Sequence, residues 1–269
     1  MTDRNANSSL PPITFGFPDF WAKVYAAHER QFAAIEELGT LANEMFTAAE
    51  KKATEPVEKV VLTRVTAIGM NDVLVLVGNG SGTGAMKIAR GMFESSVVAE
   101  YLRRNPKEAE DYIDFGRVLA FRRHEWLLKN APEEGERIAP EKVKAICDEY
   151  EKVKPKFLAR KGRVRTQWSA KSLFDMAEEL GRTNQYELPY SLGSSMHHVN
   201  AEGLLTYIDS KGDTFILDAP PSMDWVTEGL IAAHTDFLLA LDTLSDCCKL
   251  GFDEQLKLAE KRFHEVWHK

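Results

Sequence analysis

The sequence contains little cysteine, and no two cysteines are spaced as zinc ligands. Its three cysteines are Cys147, Cys247 and Cys248. The adjacent pair would form a disulfide only with strain, and a C-x-x-C pair is absent. This usage is typical of a reducing compartment. The first residues, MTDRNANSSLPP, lack the apolar stretch of a signal peptide. We therefore expect a cytoplasmic protein.

Long apolar runs and an excess of positive charge are also missing. No run approaches the length of about 18 apolar residues that indicates a membrane-spanning helix, so no membrane partner is expected. The net charge is -7 and the pI is about 5.6. These values argue against a surface that holds nucleic acid nonspecifically by charge alone. One local basic cluster, KVKPKFLARKGRVR at 152–165, remains available for such a contact.

The spacing of apolar residues predicts a mostly α fold, a multi-helix bundle with one small β-hairpin. The hairpin is expected near residues 204–217, where two short apolar runs flank DSKGD. Residues 1–16 are predicted to be a flexible tail, and residues 17–269 a single helical domain. Within it, helices are expected at 20–53, 56–77, 84–104, 106–130, from 140, at 169–180, 189–200, 223–250 and 252–267.

The chain is centred on the stretch GNGSGTGAMKIARGMFESSVVAEYLRRNP, residues 78–106. Its glycines do not match G-x-G-x-x-G, so they predict a helix–helix turn rather than a phosphate loop. The preceding VLVLV fits either a strand or a helix. The following helix is apolar on nearly all sides, which predicts burial. It also carries Arg90 and Glu94 one turn apart. Because a buried charge is costly unless paired, we predict that these two pair and have further partners.

A second candidate segment is YELPYSLGSSMHHVN, residues 186–200. On a helix, Ser194 lies one turn before both His197 and His198. The two histidines point about 100° apart, so at most one faces a given pocket. A neutral histidine is the natural general acid or base near neutral pH. The spacing leaves open which of the two would serve.

The C-terminal stretch formally matches the zinc motif H-E-x-x-H with His264, Glu265 and His268. No third ligand follows before Lys269, and terminal helix turns fray. The apolar stripe of this helix also leaves both histidines on its solvated face. We therefore expect no metal or other cofactor, and zinc-dependent hydrolysis is the weakest alternative.

The central and second segments together resemble a known family. Arg90 and Glu94 followed by EYL at 100–102 resemble the R-x-x-x-E … Y-L helix of the uncharacterised bacterial helical family named domain of unknown function 5677. Tyr190, Ser194 and His197 are similar to its later Y-x-x-x-S-x-x-H segment. The resemblance covers about residues 62–200. The doubled histidine and the extended C-terminal part, 201–269, depart from the family pattern.

The family's architecture is distantly similar to HEPN-type bundles, in which an arginine and a histidine in one groove cleave RNA without metal. That resemblance implies RNA as a partner and a groove lined by Arg90, Glu94, Tyr190, Ser194 and His197. His197 would be the base, and Arg90, oriented by Glu94, would stabilise charge on the phosphate. HEPN proteins usually carry both residues in one short motif, whereas these come from separate helices.

The alternative to a ribonuclease is a non-catalytic interaction or regulatory module in which the Arg90–Glu94–His197 network is structural. Homodimerisation is compatible with both hypotheses. If Arg90 and His197 reach one phosphate position in an open groove, the enzyme is favoured. If they are sealed in the core, the binding module is favoured.

Overall fold

The computed structural model describes residues 16–159, 162–211, 214–217 and 221–268. The predicted N-terminal tail lies outside these residues except for Gly16. Helices dominate the described chain, which confirms the predicted mostly α bundle. They are α1 (Pro18–Lys52), α2 (Pro56–Thr66), α3 (Met70–Gly78), α4 (Gly82–Arg104), α5 (Glu108–Asn130), α6 (Pro132–Glu136), α7 (Pro140–Val153), α8 (Leu173–Glu179), α9 (Thr183–Gln185), α10 (Ser191–His198), α11 (Ala201–Leu205), α12 (Val226–Cys247) and α13 (Asp253–Trp267).

Two short irregular helices complete the path of the chain. A 3-10 helix, Lys154–Phe157, continues α7. A π-helical turn, Tyr186–Tyr190, joins α9 to α10 and contains Pro189. Proline has no N–H to donate and clashes with the preceding turn of an α-helix, so the backbone widens here instead of continuing as α-helix. We call Tyr186–Tyr190 the π turn.

The α4 helix is the centre of the bundle, as its apolar surface predicts. It packs against α2, α3, α10 and, most extensively, α12. At its first residue, a Cβ on Gly82 would lie 2.1 Å from the carbonyl oxygen of Asp224 and 2.5 Å from the backbone nitrogen of Val226. Only glycine allows the start of α12 to approach so closely. The predicted helix–helix turn is confirmed at residues 79–81, where Gly80 adopts φ +68°.

The predicted second helix is interrupted. Residues 56–78 form two helices, α2 and α3, separated at 67–69. By length and composition this stretch, with a mean hydropathy of 1.8, is the one helical segment among the described residues apolar enough to cross a membrane. In the fold, Val61, Val65, Val73 and Val77 are buried in the core instead. The ambiguous VLVLV run is therefore a core helix.

The predicted β-hairpin over residues 204–217 is wrong as an element of the fold. Leu204 and Leu205 belong to α11, so the first apolar run is helical where it begins. The N-cap Asn200 explains this, because its side chain accepts a hydrogen bond from the Gly203 backbone N–H at 2.9 Å. Beyond the helix, the backbones of β1 (Ile208–Lys211) and β2 (Thr214–Leu217) pair with each other, and no other strand of the described chain joins them, so they add no sheet to the helical core.

The α12 helix buries a histidine whose protonation at acid pH should lower the free energy of unfolding. His234 is 2% exposed, and its Nδ1 accepts a hydrogen bond from Trp267 Nε1 at 3.2 Å. Burial lowers the pKa of His234 from 6.5 to about 4. The neutral ring therefore stabilises the fold above pH about 6.5, and this contribution is lost as the pH falls through about 4.

We expect His234 to account for about 3 kcal/mol of acid-dependent loss in the free energy of unfolding. A His234→Leu variant should lose correspondingly less stability between pH 7 and pH 4, measured by urea denaturation. The exposed His264, replaced in the same way, controls for the loss of one imidazole. Equal pH dependence of the parent and His234→Leu proteins would contradict the assignment.

Candidate functional site

The α4 helix and the segment of residues 182–198 face each other across one interface. A Cβ on Gly193 of α10 would lie 2.6 Å from the Met86 carbonyl oxygen, so the two backbones approach closely. The π turn places Tyr186 and Tyr190 against Phe93 of α4, with ring centroids 6.2 and 5.2 Å away. Phe93 is 1% exposed. This interface brings the two candidate segments of the sequence together.

Arg90, Glu94 and Tyr190 form one cluster. Arg90 pairs with Glu94 at 2.9 Å, which confirms the predicted pairing. The Tyr190 hydroxyl donates to Glu94 at 3.3 Å, and the Arg90 guanidinium lies 5.3 Å from the Tyr190 ring centroid. The two charged side chains are 22% and 36% exposed, so the pair is half-buried rather than sealed in the core. Burial raises the pKa of Tyr190, and the Glu94 charge raises it further.

The remaining predicted site residues lie along α10. Ser194 is half-buried, whereas His197 and His198 are exposed at the end of the helix, their ring centroids 4.9 Å apart. Within the described part of the chain, neither histidine makes a hydrogen bond or an ion pair with Arg90 or Glu94. The structure thus gathers Arg90, Glu94 and Tyr190, and among the described residues it joins neither histidine to them by a hydrogen bond or an ion pair. The catalytic roles assigned to these residues stay predictions.

The histidines of the zinc-like motif lie side by side on α13. The rings of His264 and His268 are 5.1 Å apart. Glu265 between them pairs with Arg262 at 3.5 Å and with Lys261 at 3.9 Å. In the described ranges, no group of three or more histidine, cysteine, aspartate or glutamate side chains is arranged to hold a metal ion.

A buried network that the sequence reasoning missed lies behind the π turn. Arg182 donates to Asp236 Oδ1 at 2.5 Å and to Ser96 Oγ at 2.9 Å. Ser96 Oγ also donates to Asp236 Oδ1 at 3.2 Å. Arg182 Nε donates to Gln185 at 2.5 Å, and Glu100 lies 3.9 Å from the guanidinium. The side chains of Arg182 and Asp236 are 7% and 5% exposed, so this ion pair is buried.

The environment of Asp236 perturbs its titration. Burial raises the pKa of its carboxyl from 3.8 to about 6, and the Arg182 charge and the Ser96 hydrogen bond oppose part of that rise. The sequence held one signal for this residue: Asp236 is a lone carboxylate among apolar neighbours, in AAHTDFLLAL. A carboxylate in such a stretch requires a buried partner. Nothing in the sequence indicated that Arg182 would be that partner.

A cavity of about 420 Å³ opens on the side of the π turn away from Glu94. Its wall is largely apolar, and its polar groups are mostly carboxylates. We call it the acidic cavity. It is lined by Met86 of α4, Gln185, Glu187, Leu188 and Pro189 at the π turn, Ser191 and Leu192 of α10, Glu202 of α11, and Glu228, Ile231, Ala232, Thr235 and Asp236 of α12.

A groove of about 620 Å³ lies on the opposite side of the π turn. We call it the aromatic groove. Tyr190 and Glu94 line it, as do Tyr112 and Trp168. The Tyr112 and Trp168 ring centroids are 5.2 Å from each other. Arg64 donates to the Tyr112 hydroxyl at 2.6 Å and to the Glu94 carbonyl at 3.2 Å. These hydrogen bonds to the protein fix the position of the Arg64 guanidinium. The Arg90 side chain lines neither this groove nor the acidic cavity.

Comparison with known proteins gives one match. Neither the curated proteins nor the solved structures contain a match to this chain, and the likeness to HEPN-type bundles is not confirmed. The model of a family of unknown function, DUF5677, matches residues 69–215. The expected region was about residues 62–200, and the matched region extends further towards the C-terminus. It includes α4, the π turn and α10, and thus the whole Arg90–Glu94–Tyr190 cluster. Since this match covers more than half of the sequence, the chain belongs to the DUF5677 family.

Proposed function

We propose that this protein is a non-catalytic binding module whose ligand enters the acidic cavity. The observation that supports it is the cavity itself. Its volume of about 420 Å³ falls within the range of small-molecule sites. A mostly apolar wall with a few converging polar groups is the usual composition of such sites. Four separate segments of the chain contribute to it, so the fold holds its shape.

The ribonuclease hypothesis has less support from the geometry. A phosphate-stabilising arginine needs free N–H donors aimed at the reacting phosphate. The Arg90 guanidinium pairs with Glu94 and packs on the Tyr190 ring. Its Nε–H has no partner among the described residues, but it is buried rather than open to a phosphate. His197, the expected base, is exposed at the C-terminal end of α10 and, among the described residues, makes no hydrogen bond or ion pair with Arg90. The arrangement favours a structural role for the Arg90–Glu94 pair.

Filling the acidic cavity tests the binding function. A library of small organic fragments would be screened by thermal shift and by ligand-observed NMR. We expect fragments that raise the Tm of the parent protein to lose this effect in Ile231→Trp, since the indole would occupy the cavity. Val75→Trp, an equivalent change at an exposed position of α3, should retain binding. If no fragment binding depends on Ile231, the cavity is not the site.

The competing hypothesis has its own test. Purified protein would be incubated with a mixed-sequence single-stranded RNA in the presence of a chelator. We expect no cleavage by the parent protein. Cleavage that is lost in both Arg90→Ala and His197→Ala, but kept in His264→Ala, would replace the binding module with a ribonuclease.

A further inference from the structure

We propose that the acidic cavity is a site for a linear diamine, with one ammonium group at Asp236 and the other at Glu228. The proposal rests on the proposed binding function and specifies its ligand class. Three features of the cavity support it: the spacing of its carboxylates along α12, an Asp236 carboxylate oxygen that accepts from no donor in the described chain, and the apolar surface between the two ends.

The α12 residues in the cavity form a single stripe. Glu228, Ile231, Ala232, Thr235 and Asp236 follow the i, i+3, i+4, i+7, i+8 pattern of one helix face. At about 1.5 Å of rise per residue, Glu228 and Asp236 are about 12 Å apart along the helix axis. The cavity therefore presents two carboxylates at the ends of an apolar strip. An elongated ligand with a positive charge at each end matches this spacing.

Asp236 supplies the inner end. The residue is 3% exposed and lines the cavity. Both of its donors, Arg182 and Ser96, bond to Oδ1. No donor in the described chain contacts Oδ2. Oδ2 is not among the fully buried side-chain atoms that lack a partner, so it remains accessible to a ligand. An ammonium N–H from a ligand would satisfy it with a charge-assisted hydrogen bond.

The charged groups next to Asp236 are Arg182, Glu100 and Arg104. Arg182 neutralises one negative charge, but both Asp236 and Glu100 lie within 4 Å of its guanidinium. The immediate group of three thus carries one net negative charge. Glu100 also pairs with Arg104, which is 43% exposed and more strongly screened by solvent. With Arg104 counted the four charges balance, so the attraction on an ammonium at Oδ2 comes from the carboxylates that line the cavity.

Glu228 supplies the outer end, and two more carboxylates accompany it. Glu187, Glu202 and Glu228 are all exposed and line the cavity. Among the described residues, none of the three pairs with a lysine or arginine. Glu202 accepts a hydrogen bond from Ser195 Oγ at 2.6 Å, which fixes its position. A cation at the mouth thus meets several acceptors without displacing an existing ion pair.

The wall between the two ends selects the rest of the ligand. Met86, Leu192, Ile231 and Ala232 offer apolar surface suited to methylene groups. Among the described residues, the lining contains no phenylalanine, tyrosine or tryptophan. It therefore lacks the aromatic faces that bind quaternary ammonium groups. Carboxylate acceptors instead favour primary or secondary amines, which donate N–H hydrogen bonds.

Calorimetric titration with three eight-carbon probes tests the proposal on the full chain. We expect octamethylenediamine to bind about tenfold more tightly than octylamine, because only the diamine makes a second charge-assisted hydrogen bond. Octanediol, of similar length but uncharged, should bind more weakly than either. Equal affinities for the diamine and the diol would overturn the proposal.

Two substitutions locate the two ammonium groups. Glu228→Gln should weaken octamethylenediamine by about tenfold and leave octylamine unchanged. Asp236→Asn should weaken both amines, and its effect is interpreted only if circular dichroism shows a folded protein. The exposed Glu254→Gln on α13 is the matched control. Unchanged diamine affinity in Glu228→Gln would refute the outer contact whether or not Asp236→Asn folds.

The outcomes also separate this inference from the binding function. Neutral ligands that Ile231→Trp excludes, together with a diamine affinity no higher than that of octanediol, would retain the cavity as a binding site and reject the diamine. A cavity that binds no amine and no neutral fragment would reject both. The pKa of Asp236, raised to about 6 by burial, adds a pH signature. Octylamine affinity should fall as the pH drops through about 6, because protonated Asp236 no longer attracts the ammonium.

Discussion

Arg182→Ala is expected to lower the free energy of unfolding by about 3–5 kcal/mol, the largest single effect that the fold predicts. The substitution leaves the buried Asp236 carboxylate without its guanidinium partner and removes a donor from Ser96. An unpaired buried charge is far more costly than the pair it came from. Urea denaturation at pH 7, followed by far-UV circular dichroism, measures the loss.

The double variant Arg182→Met, Asp236→Leu is the matched control for this prediction. Replacing a buried ion pair by apolar side chains of similar volume is often close to neutral. We therefore expect the double variant to recover most of the stability that Arg182→Ala loses. A loss below about 1 kcal/mol in Arg182→Ala, the size of an ordinary substitution, would show that the pair is not structurally important.

Phe93→Ala is expected to cost about 3–5 kcal/mol, as is usual for a buried phenylalanine. Phe93 is 1% exposed and contacts Tyr186, Tyr190 and the Arg182 guanidinium, whose carbon lies 5.1 Å from its ring centroid. Removing the ring leaves a cavity under the π turn. The near-UV circular dichroism of the tyrosines should weaken together with the stability.

A matched control for Phe93→Ala is Leu119→Ala on α5. Leu119 is 47% exposed, so its truncation should change the free energy of unfolding by no more than about 0.5 kcal/mol. If both variants unfold at the same urea concentration, Phe93 does not support the π turn as described.

The helices were largely predictable because their signals are local. The apolar surface of α4 predicted its central position, and the glycines at 78–84 predicted the turn before it. Arg90 and Glu94 were expected to pair because they are one helical turn apart on the same element. The family could also be recognised from the sequence, because its motifs are short and each lies within one segment, at α4 or at α10.

The features that were missed depend on contacts between distant residues. Arg182 and Asp236 are 54 positions apart, so no local pattern connects them. The acidic cavity exists only where four segments meet, and its shape depends on a π turn that the sequence signals only through Pro189. The hairpin was mispredicted because Leu204 and Leu205 fit a strand by composition, whereas the Asn200 cap decides in favour of a helix.

The π turn has a thermodynamic consequence for the whole domain. Leu188 and Pro189 line the acidic cavity, while Tyr190, the last residue of the same turn, lines the aromatic groove. The two spaces therefore share a wall one turn thick. A ligand that shifts this wall on entering one space alters the affinity of the other. Linkage requires the reverse effect to be equal in size, so two molecules bound on opposite sides of Tyr186–Tyr190 would each report the presence of the other.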